Sequence, residues 1–165
     1  MERNNSCALP LSYPDISDIK PDPKTAAVLY EAYAGRNGEL EAISNYIYQS
    51  ILFEGSAPIV SEMLECIAMV EMEHFRLLGR TILLLGANPA IKTAFKTTHL
   101  NRKGDVVSRI EKALSEDVES EKRAAEFYNK TARYTKDRTL ASLLKRLAAD
   151  EEHHAKLLSD MLKKF

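Results

Sequence analysis

The chain has 165 residues, enough for one domain with a buried core. It is 45% hydrophobic and 28% charged, with 23 basic residues against 24 acidic ones. That balance excludes the strong positive charge expected of a nucleic-acid or anionic-membrane binder. No apolar run reaches bilayer length, and the N-terminus lacks a basic segment followed by an apolar one. The expectation is a cytoplasmic protein with neither a nucleic-acid nor a membrane partner.

Four of the six prolines (Pro10, Pro14, Pro21, Pro23) fall in residues 1–23, which read as an extended strap ahead of the main body, residues 24–165. Asp22-Pro23 is a helix start, an N-cap acid followed by proline at the first helical position. A long helix is predicted from Lys24 to Phe53, with Gly35 and Gly38 positioned to kink or split it. Gly55-Ser56-Ala57-Pro58 is a turn and restart. The second helix carries an apolar stripe of Leu64, Ile67, Ala68, Phe75, Leu78, Ile82 and Leu85 and stops at Gly86-Ala87-Asn88-Pro89. Residues 90–104 read as a long connection crossing the bundle, with room for a short helix. Asp105 opens the third helix, whose stripe is Val107, Ile110, Leu114, Asp117 or Val118, Glu121, Ala124, Ala125, Tyr128 and Ala132. A break at Lys136-Asp137 leads to the fourth, with Leu140, Leu143, Leu144, Leu147, Glu151, His154, Leu158 and Leu162. With no strand-like alternation, the fold class is all-α, a four-helix bundle of two antiparallel hairpins joined by a long crossover.

The two halves repeat one pattern. Glu39, Ala42 and Tyr46 precede Glu71-x-x-His74, and Glu121, Ala124 and Tyr128 precede Glu151-x-x-His154. The two Glu-to-Glu separations are 32 and 30 residues. In each hairpin the first-helix Glu and the second-helix Glu stand nearly equidistant from the turn, so they lie at one height. Within Glu-x-x-His both side chains share a face, and here that face is the apolar stripe. Carboxylates and imidazoles aimed into a core are costly unless something satisfies them. Facing hairpins would gather Glu39, Glu71, His74, Glu121, Glu151 and His154 at mid-bundle, the donor inventory of a carboxylate-bridged pair of ions. Oxygen donors with one imidazole per ion suit iron or manganese.

Neighbouring residues are assigned to other roles. Tyr46 and Tyr128 point at the core and serve either packing or hydrogen bonding to a ligand carboxylate. Glu41 shares a face with Ser44, Asn45 and Tyr48, and Glu119 a polar face with Ser115, Lys122 and Glu126, so Glu39 and Glu121 are preferred as ligands. Asp150 and His153 repeat the motif on a face lacking the leucine stripe. His153 is expected to be exposed, and Glu73 to be a solvated surface charge. Asp117, one turn before Glu121, is a minor candidate for an extra carboxylate near the site. His99 reads as a loop residue without chemistry, and Met63, Met69 and Met72 as packing residues. The two cysteines, Cys7 and Cys66, form no CxxC pair, so no zinc ribbon or rubredoxin-type iron site is encoded. They are expected to be free thiols.

These motifs carry a resemblance. Glu39-Leu-x-Ala-Ile-x-x-Tyr46, Glu71-Met-x-His74 and Asp150-Glu151-Glu152-x-His154 resemble the ferroxidase motifs of bacterioferritins. The segment from Glu121 through Ala124 to Phe127-Tyr128 is similar to short rubrerythrin-like proteins of the ferritin-like superfamily. Gly35-Arg36-Asn37-Gly38-Glu39 with Asn45-Tyr46-Ile47-Tyr48-Gln49-Ser50 resembles the first ligand helix of manganese catalases. The resemblance covers about residues 30 to 162. It implies one ion at Glu39 and His74, a second at Glu121 and His154, and Glu71 and Glu151 as bridges. The manganese-catalase likeness would instead make Glu151 an outer-sphere base. It implies no catalytic group beyond the metal ligands. It also implies two iron ions acting on peroxide or dioxygen by a peroxidase or ferroxidase reaction, with an external electron donor because no rubredoxin module is present. The alternatives are two manganese ions disproportionating peroxide, or a non-enzymatic role in iron binding or assembly with the strap as the contact. Compact relatives point to a homodimer. The chain ends eleven residues after His154, without the fifth helix of bacterioferritins, so neither a storage cage nor haem on Met72 is expected. Ala124 stands where rubrerythrins place an additional carboxylate.

Overall fold

The computed structural model describes residues 7–91 and 105–165. Five helices are present among them: α1 (Pro23–Ala34), α2 (Glu39–Phe53), α3 (Pro58–Leu84), α4 (Val106–Tyr134) and α5 (Arg138–Leu162). α2 pairs along α3 and α4 along α5, giving the two hairpins of a four-helix bundle, while α1 packs on α3. The expected crossover, residues 90–104, and its His99 lie largely outside the described residues.

The helix boundaries follow the capping chemistry. Asp22 accepts hydrogen bonds from the Lys24 and Thr25 N–H groups, Asp105 from Ser108 N–H and Asp137 from Leu140 N–H. α3 ends in a Schellman motif: Gly86 takes φ +90°, and Ala87 N–H reaches back to the Ile82 carbonyl. The long first helix splits at 35–38. Asn37 adopts φ +59°, a left-handed geometry that asparagine tolerates. A Cβ on Gly38 would come within 2.4 Å of the Ala32 carbonyl oxygen, so only glycine lets α2 start this close to α1. The split puts Glu39 at the first position of α2.

Two apolar clusters fill the bundle. One joins strap residues Ile16 and Ile19 with α1, the Leu77–Leu85 end of α3 and Leu140–Ala148 of α5. The other joins Phe53, Val60–Val70, Ile110–Val118, Leu158 and Met161. The predicted stripes are largely these cores, although Val107 is exposed. At roughly 1.5–3 kcal/mol for each large apolar side chain buried, the clusters supply the free energy that holds a polar layer between them.

The strap is extended and runs the length of the bundle. It starts in the second cluster at Cys7, passes α5, and ends in the first at Ile16 and Ile19. The free-thiol expectation is overturned: Cys7 and Cys66 form a disulfide, with Cα atoms 5.9 Å apart. The strap folds back over α3 and closes a distance that the separation of 59 residues conceals. Two residues set aside as ligands because of their helix faces are nonetheless buried. Glu41 is buried, because its carboxylate accepts the Asn37 N–H at the tight turn (2.9 Å). Asp150 is fully buried, because the strap covers the face that lacks leucines. Glu73 does lie at the surface, paired with Arg76 (2.8 Å), and Met72 is exposed.

Candidate metal centre

The six residues singled out by the repeat meet in the polar layer. Glu39, Glu71, His74 and Glu151 form one buried group, and Glu71, Glu121, Glu151 and His154 a second. Within each group one donor atom per residue lies within 4.8 Å of all the others. Glu71 and Glu151 belong to both. Each imidazole turns Nδ1 toward the carboxylates. His74 Nδ1 stands 3.0 Å from Glu151, 3.2 Å from Glu71 and 4.0 Å from Glu39. His154 Nδ1 stands 2.8 Å from Glu71, 3.4 Å from Glu151 and 3.6 Å from Glu121. The ring centroids are 6.0 Å apart.

Hydrogen bonding does not satisfy this cluster. Oε1 of Glu71, Oε1 of Glu151 and both ring nitrogens of His154 are buried without a hydrogen-bond partner among the described residues. The 2.8 Å approach of His154 Nδ1 to Glu71 is close in distance but lies off the line of a ring N–H, so it satisfies neither atom. Four buried carboxylates also outnumber the positive charge that two imidazoles can carry. Burial and the neighbouring carboxylates push Glu39 and Glu121 well above the ordinary carboxylate range. Burial would raise Glu71 and Glu151 too, but the imidazoles beside them hold both below it. Unsatisfied oxygen and nitrogen donors with excess negative charge suit two divalent cations, which supply four positive charges and accept lone pairs.

The tyrosines cross between hairpins. Tyr46 on α2 donates its hydroxyl hydrogen bond to Glu121 on α4, and Tyr128 on α4 donates to Glu39 on α2. Burial first, then the facing carboxylates, raise both phenols well above their usual range, so they remain donors. Asp117 lies outside both groups. It accepts from Gln49 Nε2 at 3.0 Å, and burial pushes its carboxyl up to about 7.

The helical pattern missed Asp150. His74 Nε2 lies 3.0 Å from the Asp150 Oδ2 carboxylate oxygen, so its Nε2–H donates there, and with an ion bound Nδ1 would be the nitrogen left to ligate it. Asp150 also accepts from Leu9 N–H (3.0 Å) and the Tyr13 hydroxyl (2.7 Å), and it pairs with Arg146 at 2.6 Å. Burial alone would raise this carboxyl. The bonds from His74, Arg146, Leu9 and Tyr13 hold it well below its ordinary value. Arg146 in turn donates to the Leu9 and Leu11 carbonyls of the strap. The sequence signal available was the Asp-Glu-Glu-x-His run, in which the first acid precedes the motif glutamate.

A cavity of about 180 Å³ leads from the surface between α2 and α4 to this layer. Arg36, Asn37 and Arg123 line it, the small Ala42 and Ala124 leave it open, and Glu39, Glu71, Glu121, Glu151 and Tyr128 form its inner wall.

Comparison with known proteins fits this architecture. A ferritin-like domain model matches residues 35–165. The chain belongs to the ferritin-like family. Among curated proteins no sequence match is found. Two crystal structures of KatB, a manganese catalase from Anabaena, one of them described as wild type, superpose with a TM-score of 0.77 at 24% identity. Each covers 94% of this chain and 78% of that one. At that identity the likeness establishes the fold, which this ferritin-like chain shares over nearly its whole length. No helix among its described residues is long and apolar enough to cross a membrane.

Proposed function

We propose that this ferritin-like protein is a dimetal carboxylate protein acting on peroxide or dioxygen. The supporting observation is the buried cluster of four Glu and two His, under-satisfied by hydrogen bonds, at the foot of a cavity suited to a small molecule. Glu39 and His74 would hold one ion and Glu121 and His154 the other, with Glu71 and Glu151 shared. A bound pair of redox-active ions supplies or accepts the two electrons that conversion of an O–O bond requires.

The chain's own residues do the rest. Tyr46 and Tyr128 fix the outer oxygens of Glu121 and Glu39 and keep their protons. Asp150 orients His74 and sets its tautomer. The two apolar clusters flank the layer at its two ends and leave the cavity as its approach. Ala42 and Ala124 leave the approach open, and Phe127 gives it an apolar wall.

The motif resemblance to rubrerythrins and bacterioferritins favours two iron ions and a peroxidase or ferroxidase turnover with an external electron donor. A second reading, two manganese ions disproportionating peroxide, is favoured by the structural likeness to KatB, described as a manganese catalase.

Metal analysis of natively purified protein, followed by peroxide assays with and without reductant, tests both. Iron with reductant-dependent peroxide consumption supports the first reading. Manganese with oxygen release in the absence of reductant supports the second. Two filled positions that turn over neither peroxide nor dioxygen would contradict an enzymatic role and leave metal storage or assembly.

A further inference from the structure

We propose that Tyr13 is a positioning residue for the His74 half of the centre and that the Cys7–Cys66 disulfide is the latch holding it there, so that the redox state of these cysteines sets metal affinity at one position of the two. This inference rests on the dimetal reading above.

Tyr13 is placed by the strap alone. Its ring stands edge-on to the His74 imidazole, with centroids 6.0 Å apart, and lies 4.6 Å beneath the Arg146 guanidinium. Its hydroxyl donates to the same Asp150 oxygen that His74 Nε2 contacts. Two residues after Cys7, the Leu9 N–H takes the other Asp150 oxygen. The strap therefore supplies two of the groups that fix Asp150, and Asp150 fixes His74. The disulfide ties this stretch to α3, five residues before Glu71.

The arrangement is one-sided. The repeat offset of 80 residues between Glu71 and Glu151 puts Val70 opposite Asp150 and Cys66 opposite Arg146. His154 Nε2 has no hydrogen-bond partner among the described residues. Loosening the strap should disturb the His74 position and leave the His154 position as it is.

The latch can be reached. Cys7 is buried, but Cys66 is partly exposed, and the pair borders a surface groove of about 440 Å³ shared with Met63, Leu157 and Met161. In the opening step an external dithiol attacks the Cys7–Cys66 bond. That bond breaks, both cysteines leave as thiols, and the reductant's two thiols close into a disulfide, supplying the two electrons and two protons. Freed from its covalent end, the strap keeps Tyr13 through the Asp150 and Arg146 bonds and the buried Ile16 and Ile19, but residues 7–11 lose their tether to α3 and the order imposed on Asp150 falls.

The test uses full-length, metal-stripped protein titrated with Co(II), oxidised or after reduction by a non-chelating phosphine, with circular dichroism to verify the helical fold. In His154→Ala only the His74 position keeps its full donor set, and in His74→Ala only the other does, so the tighter binding step of each variant reports the intact position. Reduction should weaken Co(II) binding about tenfold in His154→Ala, the low end of what losing the partner behind a ligating histidine costs, because Asp150 itself stays in place. In His74→Ala it should change binding by less than about threefold, well short of that loss. Tyr13→Phe, which keeps the disulfide and the ring, should lower affinity in the same single-position background. Equal binding by oxidised and reduced His154→Ala protein, or a change confined to the His154 position, overturns the proposal. Failure of the oxidised wild-type chain to bind Co(II) at all overturns the dimetal reading, and this inference with it.

Discussion

His74 donates an Nε2–H hydrogen bond to Asp150, whereas His154 Nε2 meets no hydrogen-bond partner among the described residues. The two half-sites otherwise match in glutamates, in tyrosines crossing from the opposite hairpin, and in flanking alanines. Equivalent donors backed by unequal surroundings give two positions of unequal character. An imidazole whose far nitrogen donates to a carboxylate is fixed in tautomer and made more basic. One whose far nitrogen is unpaired is not. The opposite half has a polar feature of its own: Asp117, on the Glu121 helix, is buried against Gln49. The pseudo-symmetry thus stops at the inner ring of donors.

The largest expected effect removes the comparison altogether. Glu71→Ala takes a carboxylate from both groups, so metal content should fall sharply at both positions, as elemental analysis would register. Loss at a single position would contradict a shared carboxylate. Asp150→Asn should sharpen the comparison. It keeps the shape but removes the charge behind His74, so affinity should drop about 10- to 100-fold at that position only. Single-position titrations in the His154→Ala and His74→Ala backgrounds would detect an equal drop at both, which would refute the asymmetry.

Asp117→Asn probes the other half. With its folded pKa near 7 against about 3.9 unfolded, Asp117 retains in the folded protein a proton that the unfolded chain releases. Its contribution therefore falls as pH rises from about 4 to about 7 and is flat above. The variant should lack that slope and be more stable than wild type at pH 8 by on the order of 1–4 kcal/mol, with little difference at pH 4. Urea unfolding at both pH values reads this, and parallel pH dependence in the two proteins would count against it. The smallest effect belongs to Glu41→Ala, which loses one hydrogen bond at the α1–α2 turn. It should cost about 1 kcal/mol and leave metal content unchanged.

What could be read from the sequence tracks how local the cause was. The polar layer was legible because hairpin arms of similar length place Glu39 with Glu71 and Glu121 with Glu151, and because Glu-x-x-His fell on leucine stripes. Asp150 was not, since 100° per residue puts it off the stripe. Its burial comes from Leu9 and Tyr13, more than 130 residues away in the chain. The disulfide was hidden for the same reason: proline spacing predicts an extended strap but not where it lies. The burial of Glu41 was hidden by a shorter-range effect, the left-handed Asn37 aiming its N–H at the carboxylate.

The most direct test of the central claim is anomalous diffraction from crystals loaded with the metal found in the native protein. Two peaks about 3.5–4 Å apart are predicted inside the bundle, one beside His74 Nδ1 and Glu39 and one beside His154 Nδ1 and Glu121, with Glu71 and Glu151 between them. A single peak, or peaks confined to the surface, would contradict it.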